Sequence, residues 1–203
     1  MEYKKNMRFI ILNKTKNEEI ISLIKDLYKE VYIENRSNIT IIYYVDNYYE
    51  NIKDLIDTII LDFGEVISIH EGFSLNKHVD HSLVDIYIDL VIKYNLLKDN
   101  YTNLIDLSFY SNNVDVSRFI VEFNKQILQP IINKDDNRII LNKFFENNLN
   151  VLKTSKDLFI NRNSLLLRLE SISRKIGYNI QDFKIASLVF TIMNLKNQEE
   201  LQF

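Results

Sequence analysis

NVLKTSKDLFINRNSLLLRLESISRKIG, residues 150–177, is the stretch on which the reading of this chain turns. Two short helices joined by a tight turn account for its pattern. In the first, Val151, Leu152, Ser155 and Leu158 recur on one side, and Asn150 stands where an N-cap belongs. Phe159 and Ile160 carry the chain through the turn. Asn161 is the N-cap of the second helix, predicted over about 161–176, in which Leu165, Leu169, Ile172 and Ile176 recur at helical spacing and face inward. Asn163, Ser164, Leu167, Ser171 and Arg174 then fall on the opposite side, with Arg162 and Arg168 flanking the buried stripe. Asn and Ser side chains in the first turn of an exposed helix can read base edges, and Arg can grip a guanine or a phosphate. The pattern is that of a helix-turn-helix whose second helix enters a DNA groove.

Each of these residues also has a plainer use. Arg162 and Arg168 could pair with Asp157, Glu146 or Glu170 and serve only helix packing. Lys153, Thr154 and Lys156 on the first helix either hold backbone phosphates or, for the lysines, are simply solvated. Leu167 either touches a thymine methyl or packs on a neighbouring helix.

The run 158–169, LFINRNSLLLRL, resembles the C-terminal helix-turn-helix of the PucR and sugar-diacid-regulator transcription factors. That family typically shows L-(F/x)-(V/I)-H-R-N-T-(V/L)-x-Y-R-L here. The likeness extends over about residues 127–195, through Leu128, residues 130–135, the helix 141–149, the turn 177–182 (GYNIQD) and a closing apolar helix at 185–195. Asn161 stands where the family usually has His and Leu167 where it usually has Tyr, so base preference and outer contacts are expected to differ. The resemblance implies a DNA-binding transcriptional regulator acting on double-stranded DNA, with Lys153, Thr154, Asn161, Arg162, Asn163, Ser164, Leu167 and Arg168 at the duplex. It also implies a homodimer, and a small-molecule effector whose identity is unknown. The alternative is an interaction or dimerisation module that keeps the scaffold without binding DNA.

With 203 residues and 46% hydrophobic side chains, the chain can form one large domain or two small ones. It has no Cys, which rules out disulfides and thiolate chemistry and suits a reducing compartment. The apolar run near the start is too short for a signal peptide and no stretch is long enough to span a bilayer, so the expected location is cytoplasmic, with no membrane partner. Residues 136–197 carry ten Lys or Arg against five Asp or Glu, whereas residues 1–135 carry fifteen against twenty-one. A basic end on an acidic chain fits phosphate contacts confined to that end.

Upstream, the pattern predicts a strand at 8–12 and a helix at 18–28. A hairpin of strands 31–33 and 39–45 follows, then a helix at 49–62, with Gly64 ending it, and a strand at 65–69. That order folds as an antiparallel ferredoxin-like sheet with two helices on one face. Sugar-diacid-type regulators often carry a degenerate nucleotide-cyclase-like (GGDEF-like) domain of this kind ahead of the helix-turn-helix. The hairpin residues 34–38, ENRSN, lack the glycines and the acidic pair of a cyclase, and Arg36 would repel a metal, so no enzyme activity is expected. The fold class is therefore α+β. The expected domains are a sheet domain at 1–80, a helical connector at 81–130 and a helix-turn-helix domain at 131–203.

Residues 82–97 read as a largely buried helix and 116–128 as another, buried within the chain or against a partner surface. His70, His78 and His81 lie near Glu71 and Asp80 without matching a metal-ligand pattern. Tyr43-Tyr44 and Tyr48-Tyr49 read as strand and helix packing. No cofactor is expected.

Overall fold

The computed structural model describes residues 3, 6–13, 18–46, 52–54, 68–98, 101–134 and 136–194. The chain divides into two compact units, Met1–Phe119 and Ile120–Phe203.

The first unit is built on a five-stranded sheet. Strand β1 (Met7–Asn13) leads to helix α1 (Glu18–Leu27), β2 (Lys29–Arg36), β3 (Ile39–Val45) and β4 (Ile69–Glu71). Helix α2 (His81–Lys93), the short β5 (Tyr101–Thr102), α3 (Leu104–Ser108) and α4 (Val114–Phe123) follow. Strand order is β2-β3-β1-β4-β5, antiparallel throughout except for the parallel pair β4–β5. The first four strands thus have the order of the predicted ferredoxin-like sheet, and β5 extends it by one edge. The hairpin closes through Ser37 and Asn38, with Arg36 paired to Ile39 and Ser37 at a φ of 43°. Of the predicted helix at 49–62 only residues 52–54 are described, and they are helical; the remainder, Tyr48 and Tyr49, Gly64 and residues 65–67 lie outside the described residues.

Alternation along the central strand sorts side chains between two cores. Ile10 and Leu12 of β1 join Ile42, Tyr44 and Ile69 under Ile24 of α1, Tyr28 just beyond it and Ile52. Phe9, on the opposite face, stands edge-on to Phe73 and Tyr87 at centroid separations of 5.4 and 5.9 Å. The expectation placed helices on one face and assigned no cover to the other. Tyr87 of α2 supplies it, so residues 81–93, expected in a connector, pack within the sheet unit. Gly72 suits its place beside this cluster, because a Cβ there would lie only 2.3 Å from Cζ of the Phe9 ring.

Several polar groups inside the unit are matched to one another. Arg8 bonds Asp46 at 3.0 Å and also Glu71, which accepts from the Tyr101 hydroxyl, and all three ionic side chains are buried. Burial pushes the Glu71 carboxyl up, with Arg8 beside it pulling the other way. His70 is wholly buried, its Nδ1 2.7 Å from Thr102 Oγ1 and its Nε2 2.7 Å from the Tyr87 hydroxyl. Thr102 spends its own proton on the Leu96 carbonyl at 2.6 Å, so Nδ1 carries the imidazole proton and Nε2 accepts from Tyr87. Tyr43 and Tyr44 pack in β3, and the hairpin's Arg36 pairs with Glu34 and, at 2.7 Å, with Asp85. Among the described residues no group of His, Cys, Asp or Glu is arranged to hold a metal, and no helix is long and apolar enough to cross a membrane.

The second unit is helical. α4 runs on through a π-helical segment (Asn124–Leu128) into α5 (Gln129–Ile132), where the chain's one proline sits in the first turn. α6 (Asn137–Glu146), α7 (Val151–Asp157), α8 (Arg162–Ile176) and α9 (Phe183–Asn194) complete it. α6 lies against α5, α7 and α9, and α8 against α5 and α7. The fold is α+β, with the sheet in the first part of the chain and the helix-turn-helix region in the second.

Burial depresses the pKa of His70 from 6.5 to about 3. The imidazole is then neutral in the fold but protonates in the unfolded chain below pH 6.5. Its contribution to stability is full above that pH and is lost as the pH falls toward 3, by up to about 1.4 kcal/mol per pH unit. Thermal unfolding between pH 7 and 5 should show a shallower decline for His70→Gln than for the wild type.

Candidate nucleic-acid interface

Each helix around the turn is closed by its own sequence. Asn150 caps α7, its side chain accepting from Lys153 N at 2.9 Å. At the far end Phe159 N–H donates to the Lys156 carbonyl at 3.1 Å and Ile160 N–H to the Ser155 carbonyl at 3.0 Å. These two bonds form a Schellman closure, which requires a left-handed residue in between. Phe159 fills that position with a φ of 55°, and 96% of its surface is exposed. Asn161 caps α8 by accepting from Asn163 N at 2.8 Å, as the sequence predicts.

α8 ends at Gly177, whose φ of 96° suits glycine and whose N–H meets the Ser173 carbonyl at 2.8 Å. The Ser173 hydroxyl donates to the Leu169 carbonyl at 2.8 Å and accepts from Ile180 N at 3.0 Å. Helix, turn and following segment are thereby joined at one buried oxygen. Asp182 opens α9, accepting from Lys184 N and Ile185 N.

The inward stripe of α8 is Leu165, Leu169, Ile172 and Ile176, together with Ser173, all buried. Arg162, Asn163, Ser164, Leu167, Arg168 and Arg174 are exposed, and Ser171 is half-buried. These are the residues the spacing predicts for the open side. Among the described residues Arg162 makes no ion pair. Arg168 reaches Asp136 at 3.7 Å with both groups well exposed, a screened contact worth no more than about 1 kcal/mol. Two of the three expected acidic partners are engaged elsewhere. Glu146 takes Lys143 at 2.6 Å, and Asp157 accepts from Asn147 at 2.9 Å.

On α7 the structure corrects the sequence reading twice. Leu152, assigned to the apolar side, is exposed, and Thr154 lies inside with Ser155. Thr154, expected at the duplex backbone, is wholly buried, and its hydroxyl accepts from Asn147 Nδ2 at 3.3 Å. It is thereby withdrawn from the candidate surface. Lys153 and Lys156 remain exposed beside Leu152. Sequence reasoning missed Asn147 and Ser173, since a buried polar side chain between helices leaves no periodic mark. The one signal was a small polar residue in an otherwise apolar stripe.

Two helices meeting through a reversed turn, the second capped at its start and carrying exposed Arg, Asn and Ser side chains there, define a helix-turn-helix domain. Residues 139–193 match the model of the PucR C-terminal helix-turn-helix domain, a class found in transcription regulators. Among solved structures the chain is similar to a regulator of polyketide synthase expression from Bifidobacterium adolescentis, at 14% identity and a TM-score of 0.44, over 92% of this chain and 78% of that one. No curated protein sequence matches the chain.

The cap bond at Asn161 carries a local prediction. Asn161→Ala should lower unfolding stability by about 1 kcal/mol, with Asn161→Ser recovering most of it. Urea unfolding followed by far-ultraviolet circular dichroism measures both.

Proposed function

We propose that this protein is a sequence-specific, double-stranded-DNA-binding transcriptional regulator and not an enzyme. The observation that carries the reading is the outer side of α8. There a cap and a buried stripe hold Arg162, Asn163, Ser164, Leu167 and Arg168 exposed together. In this reading Asn163 and Ser164 meet base edges in the major groove, Arg162 takes a guanine or a phosphate, and Leu167 meets a thymine methyl. Arg168 exchanges its loose contact with Asp136 for a phosphate, and Lys153 holds the backbone beside α7. Asn161 sets the start of α8 on the duplex. The excess of cations in residues 136–197 supports the same placement.

A homodimer presenting two such helices would read half-sites about 34 Å apart on one face of the duplex. Residues 131–203 would be the DNA-binding domain, with the effector unidentified and the protein cytoplasmic. The competing reading is an interaction module. Its support is Leu167, 63% exposed on α8, and the bare ring of Phe159.

Fluorescence anisotropy with the protein's own upstream DNA and a scrambled duplex, over a salt series, separates them. The regulator reading expects preference for the upstream duplex and affinity that falls steeply with salt. It further expects Asn163→Ala to erase the preference, at a cost of roughly 1–3 kcal/mol of discrimination. Arg162→Ala should weaken binding, alike for both duplexes where it holds a phosphate and more for the upstream duplex where it holds a guanine. Indifference to every duplex at low salt would remove this reading and leave the module.

A further inference from the structure

The corner between α6 and α7 is strained and then pinned. α6 closes with its own Schellman pair, Asn148 N–H to the Phe145 carbonyl and Leu149 N–H to the Phe144 carbonyl, both at 2.9 Å. Two successive residues there, Asn148 and Leu149, have φ values of 52° and 62°. Left-handed backbone at two neighbouring non-glycine residues persists only where surrounding contacts over-determine it. The buried side chain of Asn147 makes such contacts. Its amide nitrogen has two hydrogens, and both are directed to α7, one at Thr154 Oγ1 at 3.3 Å and one at Asp157 Oδ2 at 2.9 Å.

Asp157 is the last residue of α7 and stands five positions before Arg162, across the turn. It is the nearest acid in sequence to an arginine that makes no ion pair among the described residues. Asp157 is exposed, and its carboxylate, left unheld, would compete with phosphate for that guanidinium. The bond from Asn147 turns the carboxylate toward the α6 side of α7, where Lys143 also feels its charge.

We propose that Asn147 is a positioning residue for DNA binding. By holding Asp157 it keeps Arg162 available to a phosphate, and by holding Thr154 it fixes α7 under the turn. The proposal rests on the regulator reading and adds to it a residue that touches no DNA.

Its test compares the salt dependence of duplex binding for the full chain as wild type, Asn147→Ala, and Asn147→Ala with Asp157→Asn. Thermal unfolding of each shows that it is folded. Released from Asn147, Asp157 neutralises Arg162 and removes one phosphate contact. The slope of log K against log salt then becomes shallower by about 0.9, and affinity near 0.1 M salt falls roughly 10-fold. Neutralising residue 157 in the same background restores the slope. A merely structural role would lower the unfolding temperature and leave the slope of the folded protein alone. If Asn147→Ala does not fold, the isosteric Asn147→Asp replaces it. That change removes the donor to Asp157 and sets a second carboxylate against it, while the bond to Thr154 is kept with its direction reversed, the hydroxyl donating to the new carboxylate. An unchanged slope, or a changed slope that Asp157→Asn does not restore, overturns the proposal while the regulator reading stands. A wild type that binds no duplex overturns both.

Discussion

Burial of Leu165, Leu169, Ile172 and Ile176 on one side of α8 fixes the rotation of that helix, and everything offered on its outer side follows. A helix turned by one residue, about 100°, would bury Arg or Ser in place of Leu. The cost of an unpaired charge in an apolar interior forbids it. The rotation is held at both ends by backbone bonds. Asn161 stops the helix from extending backward, and Gly177 with Ser173 turns the chain away at its close. The open side is therefore rigidly presented without any of its own side chains being used to hold it.

The legible part of the site was the part with a period. Apolar recurrence every three or four residues located α8 and its cap, and period-two alternation with hydrophobic runs located β1, the hairpin and the sheet order. The position of Asn150 and Asn161 before those patterns gave two helix starts with their bonds. Thr154 and Leu152 were less legible, because inside and outside on a seven-residue helix are decided by a neighbour, Asn147, that belongs to another element. The cover supplied by Tyr87 was hidden for a similar reason. Residues 82–97 are apolar almost all round, so periodicity could not say which face meets the sheet. The divisions of the chain near residues 80 and 130 were drawn from element boundaries, whereas the compact units part at 119/120, within the run of α4.

A chain with only three glycines must turn its helices with other residues. Asn95, Asn148 and Phe159 take the left-handed positions that close α2, α6 and α7. Asn tolerates that region because its short polar side chain bonds locally, whereas Phe has no such compensation. The turn of the helix-turn-helix thus holds a bulky aromatic in a conformation it does not favour, with its ring in water.

The buried pairing of Arg8 with Asp46 and Glu71 has a bearing on how the sheet finds its alignment. β1 is apolar on both faces, so hydrophobic burial hardly distinguishes one pairing from another displaced by two residues, which keeps every side chain on its side. The guanidinium does distinguish them. It lies on the central strand and finds its two carboxylates at the end of β3 and in β4, and a displacement in either direction would leave three buried charges unmatched. Charge here works as an index mark against mispairing, a service that a pair of leucines of the same size could not provide.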